Sequence, residues 1–194
     1  MKKNLAALIT VDAEYDHFEA IRPEYEPARG EFVKRAASDA MAALAEISKN
    51  FRSAPGTEMM ALEGATLIDG TGAPAIPDSV VLVQNGKIIA AGSRAKTKIP
   101  KSARTVDVRG KTIVPGSWDM HAHFEQVEWG PVYLAAGVTT VRDCGNELEF
   151  ITAARDAIAS GNGLGPRLLL AGFVDGTGPR AIGVARVDNP QQAH

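Results

Sequence analysis

Four histidines occur in the chain, and two of them, His121 and His123, stand one residue apart in the run Pro115-Gly116-Ser117-Trp118-Asp119-Met120-His121-Ala122-His123. If residues 117–123 form a strand, side chains alternate between its faces, so Asp119, His121 and His123 share one face while Met120 and Ala122 take the other. Two imidazoles so placed at a strand's end can reach one divalent cation, at about 2.0–2.1 Å from nitrogen to zinc. Asp119 lies deeper on the same face, where it is better placed to orient a ligand or cap the core than to coordinate. A bare His-x-His is a weak signal, but here it closes a strand, follows a Pro-Gly turn and opens a run of alternating strand and helix patterns. His17 and His194 have no such setting and read as surface residues.

Other reactive side chains are less informative. Phe124, Glu125 and Trp129 follow the strand at the end where barrel enzymes carry substrate loops, although packing explains them equally well. Asp143 and Cys144 end the next strand; Cys144 reads as a buried thiol rather than a nucleophile, because no histidine is placed to activate it. Arg142 reads as one half of an internal ion pair, and Ser117 lacks the Gly-x-Ser-x-Gly turn of a nucleophile elbow. Gly70 and Gly72 make no phosphate loop, since no Gly-Lys-Ser/Thr follows them.

Three stretches of different texture must position these groups. Residues 1–58 are rich in Ala, Glu and Lys and read as a helical extension up to the break at Ser53-Ala54-Pro55-Gly56. Val33, Ala37, Ala40, Leu44, Ile47 and Phe51 recur at four- and three-residue steps, which predicts a helix whose apolar stripe packs on the rest of the protein. Residues 59–116 change to short strands, Ala65 to Ile68, Ser79 to Gln84, Lys87 to Ala91 and Thr105 to Val108. Asn85-Gly86 between the second and third tolerates positive φ at both positions and predicts a type I′ hairpin turn.

From 117 to 194 strands alternate with helices, the pattern of parallel β/α units. Ser117 to His123, Val138 to Arg142 and Arg167 to Ala171 are the strands. Gly130 to Ala136 is a short helix, and a second has the buried stripe Leu148, Ile151, Ala154 and Ile158 and stops at Gly161 and Gly163. Asp188-Asn189-Pro190 announces a further helix, with a capping side chain before a proline at the first helical position.

In this order of motifs the chain resembles the amino-terminal part of the amidohydrolase superfamily, in its imidazolonepropionase-like and prolidase-like branch. The resemblance runs through Ala65-Thr66-Leu67-Ile68-Asp69-Gly70, the hairpin Val81 to Ile88, Gly110-Lys111, Val114-Pro115-Gly116, Asp119-Met120-His121-Ala122-His123, Ala135-Ala136-Gly137-Val138-Thr139-Thr140-Val141-Arg142-Asp143 and Gly165-Pro166-Arg167. It covers about residues 60 to 194; residues 1–58 have no counterpart in it. It implies an α/β fold, a sandwich followed by the first three units of an incomplete TIM-type (β/α)8 barrel. The implied activity is metal-dependent hydrolysis of a C–N bond in a non-peptide amide, cyclic amide or dipeptide, or sometimes of an ester. His121 and His123 match the family's first-strand ligands for a divalent metal, zinc being expected, and a small molecule is the implied substrate of the full-length protein.

The family's later ligands, a carbamylated lysine or glutamate on the fourth strand, histidines on the fifth and sixth and an aspartate base on the eighth, have no matching positions. A full barrel takes about 250 residues, whereas residues 117 to 194 number 78. The expectation is therefore an amino-terminal fragment, inactive alone, with no catalytic base of its own. Two rivals stand beside it: a non-catalytic β-rich binding module with structural histidines, and an assembly module whose open strand edges pair with a partner chain or with a second copy in a homo-oligomer.

Composition excludes other classes. A formal charge of −2 arises from acidic and basic residues mixed along the chain, with no basic cluster to track a phosphate backbone, so nucleic acid is not an expected partner. No apolar stretch approaches the roughly 20 residues that span a bilayer, so no membrane partner is expected. The lone Cys144 cannot form an internal disulfide, which fits a reducing compartment, with a cytoplasmic location expected, or simply a fold that needs no crosslinks. Lys2-Lys3 and Leu5 to Ile9 only faintly resemble a secretory signal, because Asp12 and Glu14 follow closely.

Overall fold

In the computed structural model, residues 7–11, 17–51, 59–178 and 185–193 are described. The chain divides into two compact units, residues 1–51 with 117–194, and residues 52–116. The break at Ser53 to Gly56, the Lys2-Lys3 start, Asp12, Glu14 and His194 lie outside the described residues.

The first unit begins with two antiparallel strands, β1 (Ala7–Val11) and β2 (His17–Ile21). They correct the purely helical reading of residues 1–58. Ile9-Thr10-Val11 is a β-branched run, which favours strand, and residues 17–21 alternate polar and apolar in part. His17 opens β2. A 3-10 turn (Pro23–Ala28) then leads into α1 (Arg29–Phe51), 23 residues long. Ala37 and Leu44 of the expected stripe are buried, but Phe51 at the helix end is 60% exposed and the seam continues through Ser48 instead. Small residues at 37 and 48 let the helix approach its neighbour closely, and the Ser48 hydroxyl is satisfied by donating to the Leu44 carbonyl at 2.6 Å.

The second unit holds β3 (Met60–Leu67), β4 (Ile76–Gln84), β5 (Lys87–Ser93), β6 (Arg104–Asp107) and β7 (Thr112–Ile113). Among the described residues the expected sandwich is one sheet of order β5-β4-β3-β6, with β7 also pairing β3. A single long β3 replaces the second layer: β6 and β7 share one of its edges, in parallel, on either side of a bulge around Gly64. Ala61, Val80 and Leu82 form the core of this sheet. Asn85 and Gly86 turn the β4–β5 hairpin with φ of 51° and 71°, as a type I′ turn requires.

The first unit resumes with β8 (Ser117–Ala122), α2 (Trp129–Ala135), β9 (Val138–Asp143), α3 (Leu148–Ala159) and β10 (Arg167–Leu170). These strands make a parallel sheet of order β10-β9-β8, and among the described residues no barrel closes. Ala122, Phe124, Val141, Ile151, Ala154 and Leu168 form its core, with Met41 of α1 and Ile158 of α3 packed against it. Fully burying a side chain the size of Ile151 contributes about 1.5–3 kcal/mol. Leu148, expected in the α3 stripe, is 58% exposed because it occupies the first helical position, one turn before the buried Ile151. Glu147 caps that helix by accepting from Glu149 N at 3.2 Å and Phe150 N at 2.8 Å.

Short parallel strands β11 (Val174–Asp175) and β12 (Ala185–Arg186) follow, and Pro190–Ala193 forms a 3-10 turn. Its first amide bonds are served by Asn189, whose Oδ1 accepts from Gln192 N at 3.1 Å. Among the described residues no helix is long and apolar enough to cross a membrane.

Candidate metal centre

The site lies at the carboxyl end of β8. Asp119, His121 and His123 line one cleft of about 410 Å³ together with Ala122, Trp129, Val132 and Tyr133, so the three polar side chains expected on one face do meet one space. The strand is not a simple alternation, however. Asp119 pairs with Val141 and Ala122 with Asp143, so two residues of β8, Met120 and His121, oppose the single Arg142 of β9. Such a bulge releases backbone groups from the ladder and re-aims side chains. Asp119 compensates locally: its Oδ1 accepts from the His121 amide at 3.1 Å.

The imidazoles of His121 and His123 have ring centres 5.6 Å apart, with planes inclined at 65°. A nitrogen–zinc distance of about 2.1 Å and a further ~1.2 Å from nitrogen to ring centre place each ring centre ~3.3 Å from a shared ion. The observed separation lies within twice that reach, so distance alone does not keep the two rings from one cation. His123 Nδ1 donates to the Gly145 carbonyl at 2.8 Å. A neutral ring held through Nδ1–H carries its ligating lone pair on Nε2, which is the usual arrangement of a metal-binding histidine. Among the described residues no group of three or more His, Cys, Asp or Glu is gathered closely enough to enclose a metal.

The sequence reading named Asp143 as the end of a strand and gave it no role. Asp143 ends β9, is fully buried, and has no cationic side chain among its hydrogen-bond partners. Its Oδ2 accepts from Phe124 N at 2.7 Å and from Asn146 Nδ2 at 3.2 Å, and its Oδ1 accepts from Gly145 N at 3.1 Å. Asn146 Nδ2 also donates to the Phe124 carbonyl at 2.9 Å. The loops after β8 and β9 are thus tied together directly behind His123. The sequence signal was an acidic residue ending a strand next to the histidine strand, and pairing partners cannot be read from spacing alone.

The remaining candidates divide cleanly. Trp129 borders the cleft, whereas Phe124 is buried and stacks on Tyr133 with ring centres 6.2 Å apart. Cys144 is half-buried, its Sγ lying 3.7 Å from the carbonyls of Met120 and Arg142, a packing position rather than a nucleophile's. Arg142 is exposed and has no ion pair among the described residues, against the expected internal pair. Glu125 is half-buried and Ser117 exposed.

Comparison with known proteins gives the setting. No family model matches the chain. A 5-methylthioadenosine/S-adenosylhomocysteine deaminase of Symbiobacterium thermophilum is 36% identical over 67 residues, 34% of this chain and 15% of that protein. Guanine deaminase of Escherichia coli is 40% identical over 60 residues, 30% of this chain and 14% of that protein. Among solved structures, a protein from Bifidobacterium longum assigned as a prolidase superposes with a TM-score of 0.61 at 26% identity, over 71% of this chain and 36% of that one. Molinate hydrolase superposes with a TM-score of 0.53 at 29% identity, over the same shares of 71% and 36%. The chain thus spans about a third of the length of these solved structures and about a seventh of the curated relatives.

Proposed function

Because the chain belongs to the amidohydrolase superfamily, we propose that it carries the first-strand metal ligands of a metal-dependent hydrolase acting on C–N bonds, with His121 and His123 holding a divalent ion, zinc by preference. In this reading β8, β9 and β10 are the first three strands of a TIM-type barrel, and the composite β unit precedes them. The observation that carries the reading is the pair of imidazoles side by side at the end of β8, facing one cleft. The names of the relatives point the same way, since a deaminase removes an amino group and so breaks a C–N bond.

The chain's own residues have defined tasks. Gly145 accepts the Nδ1 proton of His123 and so keeps the lone pair on Nε2. Asp119 holds the His121 backbone at the bulge. Trp129, Val132 and Tyr133 give the cleft an apolar wall that excludes water from one side of the pair. His121 and His123 would hold a divalent ion there, and such an ion would supply the acidification of water and the polarisation of a scissile carbonyl. Two imidazoles leave most of a zinc coordination shell to other groups, and among the described residues no general base besides Asp119, which is bonded to the His121 amide, lines their cleft, so the 194-residue chain alone is assigned ligation without turnover.

Zinc competition against a chromophoric chelator tests this on the 194-residue chain. His121→Ala and His123→Ala should each lower zinc affinity tenfold or more, and His17→Ala should not. Equal affinity in all four proteins removes the metal assignment. Hydrolysis of a dipeptide, lactam or hydantoin by the isolated chain at an enzyme-like rate, abolished by His121→Ala, removes the assignment of inactivity.

A further inference from the structure

We propose that Asp143 is a positioning residue for His123, fixing both the backbone beside that histidine and the acceptor of its ring proton. The proposal rests on the reading of His123 as a metal ligand, but its geometry is independent of any metal. Asp143 reaches two backbone amides with its two oxygens. One belongs to Phe124, the residue directly after His123, and the other to Gly145, whose carbonyl receives His123 Nδ1. A single buried carboxylate therefore grips the chain on both sides of the ring hydrogen bond.

Three features argue that this grip serves the ring and is more than a loop staple. The first is chemical type. A fully buried carboxylate costs several kcal/mol to desolvate unless hydrogen bonds compensate, and an asparagine would satisfy a loop at lower cost. Asparagine, however, has only one oxygen, so it accepts from Phe124 N or from Gly145 N in this geometry and presents a donor to the other. Only a carboxylate, which accepts on both oxygens, serves both amides.

The second is place. Asp143 is opposite Ala122 in the β8–β9 ladder and opposite Leu170 in the β9–β10 ladder, so it sits on the central strand of the sheet and inherits that strand's rigidity. The third is the closeness of Gly145. A Cβ added there would lie 2.6 Å from Phe173 Cδ2, so the residue whose carbonyl receives the histidine proton packs closely against the Phe173 side chain. Residues behind a metal-binding histidine that fix its tautomer commonly change metal affinity 10–100-fold when altered.

The experiment reads the histidine itself in the metal-free 194-residue chain. In the wild-type protein, nitrogen-15 shifts should report His123 as the Nδ1–H tautomer. Couplings across hydrogen bonds should connect the Phe124 and Gly145 amides to the Asp143 carboxyl carbon. Asp143→Asn should move His123 to a tautomer mixture and lower zinc affinity tenfold or more, with His121 unchanged. Asn146→Ala should leave the tautomer as it is, because both amide bonds to Asp143 remain. A His123 tautomer unaffected by Asp143→Asn in a folded chain overturns the proposal, as does the absence of both couplings in the wild type, a result that stands even if the variant fails to fold. If the tautomer shifts but the wild type binds no zinc, the positioning role stands and the metal reading falls.

Discussion

Leu44 of α1 is fully buried against the turn after α3, where a Cβ added to Gly163 would lie 2.7 Å from Leu44 Cδ2. This contact, rather than the whole predicted stripe, is the centre of α1 packing. Leu44→Ala leaves a cavity that the close turn cannot fill, and should lower the unfolding free energy by about 2–5 kcal/mol. Phe51→Ala, on the same predicted stripe but 60% exposed, should change it by less than about 0.5 kcal/mol. Urea denaturation of the two variants checks the contrast, and equal effects would show that α1 packs elsewhere.

Gly130 supplies a second test of close packing in the same unit. It is buried in the first turn of α2, and an added Cβ would lie 2.1 Å from the Leu164 carbonyl oxygen, a backbone atom. Alanine favours a helix over glycine by about 1 kcal/mol, but here the backbone of the loop before β10 must move to admit it. Gly130→Ala should therefore destabilise by about 1–3 kcal/mol despite its propensity. Gly172→Ala, with nothing within 4 Å of the new carbon, should be neutral within about 0.5 kcal/mol. Thermal unfolding of both proteins gives the comparison.

How far these features were legible depended on how local their causes are. Asn85 and Gly86 announce their turn because positive φ is a property of those two residues, and their φ values of 51° and 71° agree. The three parallel strands were legible from the alternation of strand and helix patterns. The seam of α1 was legible in part: Ala37 and Leu44 of the predicted stripe are buried, but periodicity marks only a face and the neighbour decides that Ser48, and not Phe51, is buried. β1 and β2 were missed because five-residue strands carry little periodic signal and gain their stability from each other. The bulge in β8 and the grip of Asp143 on Phe124 and Gly145 are products of strand pairing, so spacing could place His121 and His123 together but could not show what holds them.

Acid sensitivity of the β unit should report Asp107. Its carboxyl is lowered to about 2, first by the hydrogen bonds of the Arg109 side chain and then by the Arg109 amide. A carboxylate whose folded value lies below its ordinary 3.8 contributes stability that is complete above that ordinary value and is lost as pH falls through about 2. The window is therefore about pH 4 to 2, and salt should weaken the effect because both side chains are exposed. Carbon-13 titration of the Asp107 carboxyl should give a midpoint near 2, and Arg109→Ala should raise it toward the ordinary value. An unmoved midpoint would mean that the arginine side chain does not hold the carboxylate.

Asp119 offers the last test, because it shares the cleft with the histidines and its carboxylate can either orient or ligate. Its Oδ1 accepts from the His121 amide at 3.1 Å, beside the bulge between Asp119 and Ala122. If orientation is its task, Asp119→Asn keeps an oxygen for that amide and should leave zinc affinity within about twofold of the wild type. Asp119→Ala removes the acceptor and should lower affinity about fivefold, the equivalent of about 1 kcal/mol for one hydrogen bond. If the carboxylate ligates instead, asparagine, a far weaker metal donor, should be nearly as damaging as alanine. The same chelator competition that measures the histidine variants separates the two, because the orienting role puts the asparagine protein beside the wild type and the ligating role puts it beside the alanine protein.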